Sequence, residues 1–262
     1  MVLAVIWVGF SWVALAVCLL FYLIRMFSIT AFYHRYFSHK SFSTSRPVQF
    51  LFALLGNCAV QRGPLWWASH HRHHHRHSDE EEDAHSPGWY GFIWSHLLWF
   101  LSNKNFKTKK EYVRDWQKYP ELVFLDRFDL LMPVLSGVFM FAFGWLLGTF
   151  FPATGTSGMQ MLVWGFFIST VLLFHATFTV NSLGHIWGRK RYETGDESRN
   201  NWFIAIITLG EGWHNNHHYY PISVRQGFYW WEIDISWYML LLMKKLGLVW
   251  DFKGLPKRLD PS

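Results

Sequence analysis

Uncharged stretches long enough to cross a bilayer alternate along this chain with short, strongly polar ones. Residues 1–23 contain no Lys, Arg, Asp or Glu; as a helix they extend roughly 35 Å, enough for a hydrocarbon core. Residues 130–188 are again free of these four types, with a break at Pro152-Ala-Thr-Gly-Thr-Ser-Gly158. That pattern predicts a helical hairpin, with spans at 130–151 and 159–180 joined by a tight turn. Two further apolar stretches, 47–60 and 230–248, are too short or too punctuated by charge to span, and are expected to lie at the interface as amphipathic helices. The expected architecture is an all-α integral membrane protein, one domain over 1–262, in which transmembrane helices carry a cytoplasmic helical cap.

Composition sharpens this picture. Of 262 residues, 51% are apolar and 20% aromatic, with 17 Trp and 25 Phe, a profile suited to lipid contact and interfacial belts. The formal charge is +6, but the cations are scattered among Trp and Phe, which argues against nucleic acid and for a membrane surface. Arg25, Arg35, Lys40, Arg62, the cluster 104–110, Arg114 and 189–191 share one side of a three-span topology, while the turn 152–158 carries no cation. By the positive-inside rule, that side is cytoplasmic. Residues 1–22 lack a basic start and an A-x-A-like exit, so they read as a retained span rather than a signal peptide. Cys18 and Cys58 sit inside apolar runs and read as small buried hydrophobes.

The candidate chemistry is carried by histidine. Four clusters occur: His34-x4-His39, His71-x2-His74-His75, Asn181-x3-His185 and His214-x2-His217-His218. In H-x2-H-H the spacings i, i+3 and i+4 put three imidazoles on one helical face. His34 and His39, five residues apart, lie roughly 140° apart on an α-helix, so a helix end or bend must bring them together. The tract His70–His77 also allows a second register, His70/His73/His74, which spacing does not separate from the first. A lone His such as His96 or His175 reads as a hydrogen-bonded packing residue. All-imidazole ligation suits iron, copper or zinc. A site at the mouth of a lipid-facing bundle suggests an aliphatic substrate, and oxygen activated at iron can attack a methylene where side chains cannot.

These segments resemble the histidine boxes of the membrane-bound stearoyl-CoA (delta-9) fatty acid desaturases, with bacterial members the most similar. Ile29-Thr-Ala-Phe-Tyr-His-Arg-Tyr-Phe-Ser-His39 resembles the first box, and Trp67-Ala-Ser-His-His-Arg-His-His-His-Arg-His-Ser78, followed by Asp83 and His85, resembles the second. Phe174–Gly188 and Gly210–His218 resemble the other two. The resemblance runs from about Trp12 to Gly254. It implies a di-iron centre with His34, His39, His71, His74, His75, His185, His214, His217 and His218 as ligands and Asn181 holding a water; Arg72, following the first His, favours the His71/His74/His75 register. Asp83, Glu211 and Asn215 are candidates to orient the imidazoles. Gln61, Trp67, Thr177 and Phe178 align with residues that shape the family's kinked acyl tunnel, with Phe178 where animal enzymes carry Trp.

The first box is H-x4-H, as in the acyl-CoA or delta-9 group, whereas alkane hydroxylases and lipid-linked delta-12 desaturases carry H-x3-H. Two departures stand out. Ser69-His70 replaces an Arg-Asp pair that helps hold CoA in animal enzymes, and the chain has length for one span ahead of the first box where the family usually has two. The implied reaction places a cis double bond, delta-9, in a saturated C16 or C18 acyl chain carried on CoA, using O2 and two electrons at two Fe2+ ions. An acyl-lipid desaturase or a fatty acid hydroxylase on the same metal core is the nearest alternative, and a membrane metal-binding or transport protein the more distant one. The sequence has no G-x-G-x-x-G or C-x-x-C-H motif and no fused cytochrome b5 region, so electrons are expected from an external carrier: ferredoxin, rubredoxin, or cytochrome b5 with its reductase. Residues 104–110 or 189–191 are candidate contacts for such an acidic carrier. The expected location is a bacterial inner membrane.

Overall fold

A computed structural model describes residues 2–257. Among the described residues, three helices are long and apolar enough to cross a membrane: α1 (Trp12–Ser38), α5 (Leu131–Phe150) and α6 (Gly158–His185). Between and after them come α2 (Arg46–Asn57), α3 (Pro64–His77), α4 (Pro120–Arg127), α7 (Trp202–Ile207), α8 (His214–Tyr219) and α9 (Ile235–Lys245). One small antiparallel pair, β1 (Ser43–Thr44) with β2 (Val249–Trp250), ties the segment after α1 to the C-terminal region, in register Ser43↔Trp250.

The first span differs from the expected 1–23. The chain breaks at Gly9, whose φ of 70° a side chain would resist. Ser11 then caps a new helix by accepting from Ala14 N. Nor does the helix stop at Arg25, although charge there suggested an end. The guanidinium is buried, donating to Cys58 O (3.1 Å), Thr170 Oγ1 (2.7 Å) and Ser169 Oγ (2.6 Å), so its hydrogen bonds are met inside the bundle. The hairpin α5–α6 closes near its expected turn, where Gly144 and Gly148 allow close approach: a Cβ at Gly144 would lie 2.3 Å from Met161 Cβ.

The two shorter apolar stretches also end differently from the pattern. α2 stops at Asn57, whose side chain donates to Arg62 O and Asp129 O. α9 starts only after Asp234, which caps it by accepting from Trp237 N at 2.9 Å. The core lies beneath the cap, where Phe32, Tyr33 and Phe37 of α1 pack against α2, α3 and Trp116. Cys18 and Cys58 are buried and unbridged.

Candidate metal centre

The end of α1 is wound in wide i→i+5 turns from Ser28 to Ser38. This π geometry resolves the awkward five-residue spacing, because the His39 N–H donates to His34 O, five residues back, at 3.3 Å. Residues five apart therefore stack one above the other, and the His34 and His39 rings lie 5.0 Å apart. Arg72 of α3 docks this terminus: its guanidinium donates to Phe37 O (2.6 Å) and Ser38 O (2.8 Å) and grips Asp115 with both ends. Carbonyls left open at a helix end are thereby satisfied, and His39 Nε2 is set 2.8 Å from His71 Nε2.

Nine imidazoles converge in two groups, within each of which the candidate ligand atoms lie within 4.8 Å of one another: His34, His39, His71, His75 and His217; and His74, His185, His214 and His218. α3 and α8 each divide an H-x2-H-H set of three histidines between the groups, as the i, i+3, i+4 face allows. His217 Nε2 lies 2.9 Å from His34 Nε2 and 2.8 Å from His75 Nε2, and His185 Nε2 lies 3.0 Å from His214 Nε2. The neighbouring His70 points elsewhere, with Nε2 3.1 Å from Lys107 O and its ring against Trp66.

These contacts fit metal ligation better than ordinary hydrogen bonding. His74 and His218 each present Nδ1 to a carboxylate, Asp83 at 3.0 Å and Asp196 at 2.6 Å, so the proton belongs on Nδ1. Their Nε2 atoms, 3.4 Å apart, then offer lone pairs to each other, an arrangement that a shared cation relieves. Burial and neighbouring imidazoles push His39, His71, His75, His214 and His217 well below the ordinary histidine range, and burial takes His218 down to about 4 despite Asp196. Those rings are neutral donors. Burial lowers His74, but Asp83, Asp79 and Asp196 together raise it, and Asp83 and Asp196 are held well below the usual carboxylate range against their burial by the imidazoles they face.

The other candidate residues divide. Glu211 contacts His34 Nδ1 and also accepts from Arg35 Nη2 at 3.1 Å. The Asn215 side chain spends its hydrogen bonds away from the imidazoles: it accepts from the Arg191 and Tyr192 N–H groups and donates to Tyr192 O and Ser198 Oγ, pinning the loop that carries Asp196. Two carboxylates escaped the motif reading: Asp196, and Asp79, which meets His185 Nδ1 at 2.8 Å. Neither belongs to a histidine box; an acidic residue in a polar loop is a weak signal on its own. His96 and His175 lie outside both groups and bond to each other at 3.0 Å.

Two cavities adjoin the metal-facing imidazoles. One lies beside Met26, Ile29, Thr30, Val180 and His34; the other is walled by Trp66, Trp99, Phe100 and Phe178. Trp67, His71, Thr177 and Asn181 line both. At this junction Gln61 donates to Thr177 Oγ1 (3.1 Å) and accepts from Trp67 Nε1 (3.2 Å), so Gln61, Trp67 and Thr177 form one hydrogen-bonded wall. Of the basic contacts expected for a carrier, Arg191 is committed internally to Glu232, and Lys104 lies over the Tyr90 and Trp94 rings. Arg189 stays exposed.

Fold and site together define a helical integral membrane protein whose paired histidine groups are suited to two metal ions. A family model described as fatty acid desaturase matches residues 10–252. The chain is 36% identical over 245 residues to an sn-2 palmitoyl-lipid 9-desaturase of Nostoc sp. (strain 36), covering 91% of this chain and 81% of the relative. It is 39% identical over 248 residues to an acyl-CoA C20 Delta5-desaturase of Anemone leveillei (93% and 75% covered). It is 37% identical over 248 residues to Delta-9 acyl-lipid desaturase 1 of Arabidopsis thaliana (94% and 77% covered). The chain belongs to the fatty acid desaturase family, as an oxidoreductase acting on fatty acyl chains.

Proposed function

We propose that this protein introduces a cis double bond at the delta-9 position of a saturated C16 or C18 acyl chain, using O2 and two electrons at a di-iron centre. The observation that carries this reading is the junction at Trp67, His71, Thr177 and Asn181, where two cavities meet, the first reaching both imidazole groups through His34 and His71 and through His74 and His214, and the second reaching His71. An acyl chain threaded there has its methylenes beside the metal positions while aromatic walls exclude water. Iron, when bound, supplies with O2 the oxidising power that no side chain has. The nine histidines would hold it and Asn181 would hold a water; the carboxylates behind the imidazoles would fix which nitrogen faces inward. Electrons come from an external carrier of the ferredoxin, rubredoxin or cytochrome b5 class, docking on the cytoplasmic face near Arg189.

The carrier of the acyl chain was expected to be CoA. An acyl lipid is the second reading, favoured by Ser69 and His70, which are buried and spent on internal hydrogen bonds. Ser69 Oγ donates to Trp66 O (2.8 Å) and accepts from Lys109 N (3.1 Å), so this pair offers nothing to a soluble headgroup. Two of the relatives above are also named as lipid desaturases.

The test is gas chromatography–mass spectrometry of total lipid and acyl-CoA pools from a host poor in unsaturated fatty acids, expressing the chain, His71→Ala or His70→Ala. A delta-9 cis monoene is expected with the unaltered chain and His70→Ala and absent with His71→Ala. A hydroxylated chain in place of the monoene overturns the desaturase assignment; activity that survives His71→Ala but not His70→Ala overturns the ligand set.

A further inference from the structure

The two histidine groups differ in what stands behind them. In the four-histidine group, three imidazoles meet a carboxylate through Nδ1: His74 with Asp83 (3.0 Å), His185 with Asp79 (2.8 Å) and His218 with Asp196 (2.6 Å). In the five-histidine group one does, His34 with Glu211, and that carboxylate is shared with Arg35.

The three aspartates are held by local structure built for the purpose. Asp79 adopts φ 60°, a left-handed conformation that Asp and Asn tolerate better than other side chains. Its Oδ2 also accepts from Glu197 N (2.8 Å) and its Oδ1 from Ser86 Oγ (3.2 Å), so it joins the loop after α3 to the loop before α7. Asp196 Oδ1 accepts from Thr194 Oγ1 (2.7 Å) and Ser198 N (3.0 Å), a local turn that leaves Oδ2 aimed at His218. Asp83 accepts from the Asp79 and His85 N–H groups while facing His74.

We infer that Asp79, Asp83 and Asp196 are positioning residues that act selectively on the four-histidine metal position, so that neutralising one of them loosens one metal of the pair and leaves the five-histidine position filled. Each fixes the imidazole proton on Nδ1, turns the Nε2 lone pair inward and raises its donor strength. The inference rests on reading the two groups as a dimetal centre.

Asp196→Asn and Asp79→Asn test it. Asn keeps the shape, tolerates the left-handed backbone at 79, and its amide oxygen can still accept from the imidazole; it removes the charge and turns the other acceptor oxygen into an NH2 donor, which faces Ser86 Oγ at 79 and the Ser198 N–H at 196. Purified, metal-stripped protein is titrated anaerobically with Fe2+, and bound iron per chain is measured alongside the thermal midpoint. The unaltered chain is expected to take up two irons. Each variant is expected to bind one with unchanged affinity and the other about 10–100-fold more weakly, with its midpoint little altered. Equal weakening of both irons, as general loosening of the fold would cause, overturns the inference, as does unchanged uptake of both. An unaltered chain that fails to take up two irons overturns the dimetal reading and the inference together, which separates the two failures.

Discussion

Arg35 couples the core of this protein to its metal site, and removing it has a calculable cost. The guanidinium is fully buried and donates from Nη1 to Asp234 Oδ2 (3.0 Å) and Val224 O (2.9 Å), and from Nη2 to Asp234 Oδ1 (2.9 Å) and Glu211 Oε1 (3.1 Å). Arg35→Gln leaves two buried carboxylates without their cation, a loss of about 3–5 kcal/mol. The lower end applies, since Asp234 still accepts from Gln226 N and Trp237 N, and Glu211 from Gln226 Nε2. At roughly 2–4 °C per kcal/mol for a chain of this size, the thermal midpoint of purified protein in detergent should fall by about 6–12 °C. Arg35→Lys restores a charge but not the two-sided fork, so it should recover only part of that loss. Intrinsic Trp fluorescence reports the midpoint, and desaturated product in the same preparations should fall too, because Glu211 is also the partner of His34. If the Gln variant melts within about 2 °C of the unaltered chain, the buried-network argument is refuted.

Two further predictions concern the cavity junction and the cap. Thr177→Phe fills the place where the two cavities meet, at a position that is not itself a candidate ligand; product should drop about 100-fold, as misplacing a substrate by an ångström does, while iron per chain stays the same. Equal loss of iron would point instead to a collapsed site. Asp115 is pushed up by burial but pulled further down by hydrogen bonds from Arg72 and Lys40, so its carboxyl lies below the usual range. Its ionised form therefore stabilises the fold above the unfolded carboxyl's value of about 4, and the contribution is lost as pH falls through the lower folded value. Asp115→Asn should cost about 1 kcal/mol at pH 7, seen as a lower thermal midpoint, and the gap should narrow below about pH 4; a gap that widens in acid contradicts the assignment.

Much of the site was legible because its spacings are local. H-x2-H-H on a helix puts three imidazoles on one face whatever surrounds it, and a charge-free run from 130 to 188 has few soluble alternatives. The pattern was less informative where a polar group finds its partner far away in sequence. Arg25 looked like the end of a span, yet Ser169 and Thr170, more than 140 residues on, let the helix continue through it. The His70/His71 ambiguity was local: two registers share one spacing, whereas in the fold His70 packs on Trp66 and Lys107 O while His71 meets His39.

By itself, then, the sequence determined the chemistry available to this chain: a helical membrane scaffold, nine clustered imidazoles and the polar breaks between spans, all set by composition and by short repeats of helical period. Tertiary structure decided the allocation. It split α3 and α8 between two groups of imidazoles, used a π-turn to align His34 with His39, and drew Asp79 and Asp196 from two loops to stand behind His185 and His218. The physical reason is range. Periodicity fixes which side chains share a face, whereas a carboxylate meeting an imidazole 106 residues away, as Asp79 meets His185, depends on how whole helices and loops pack.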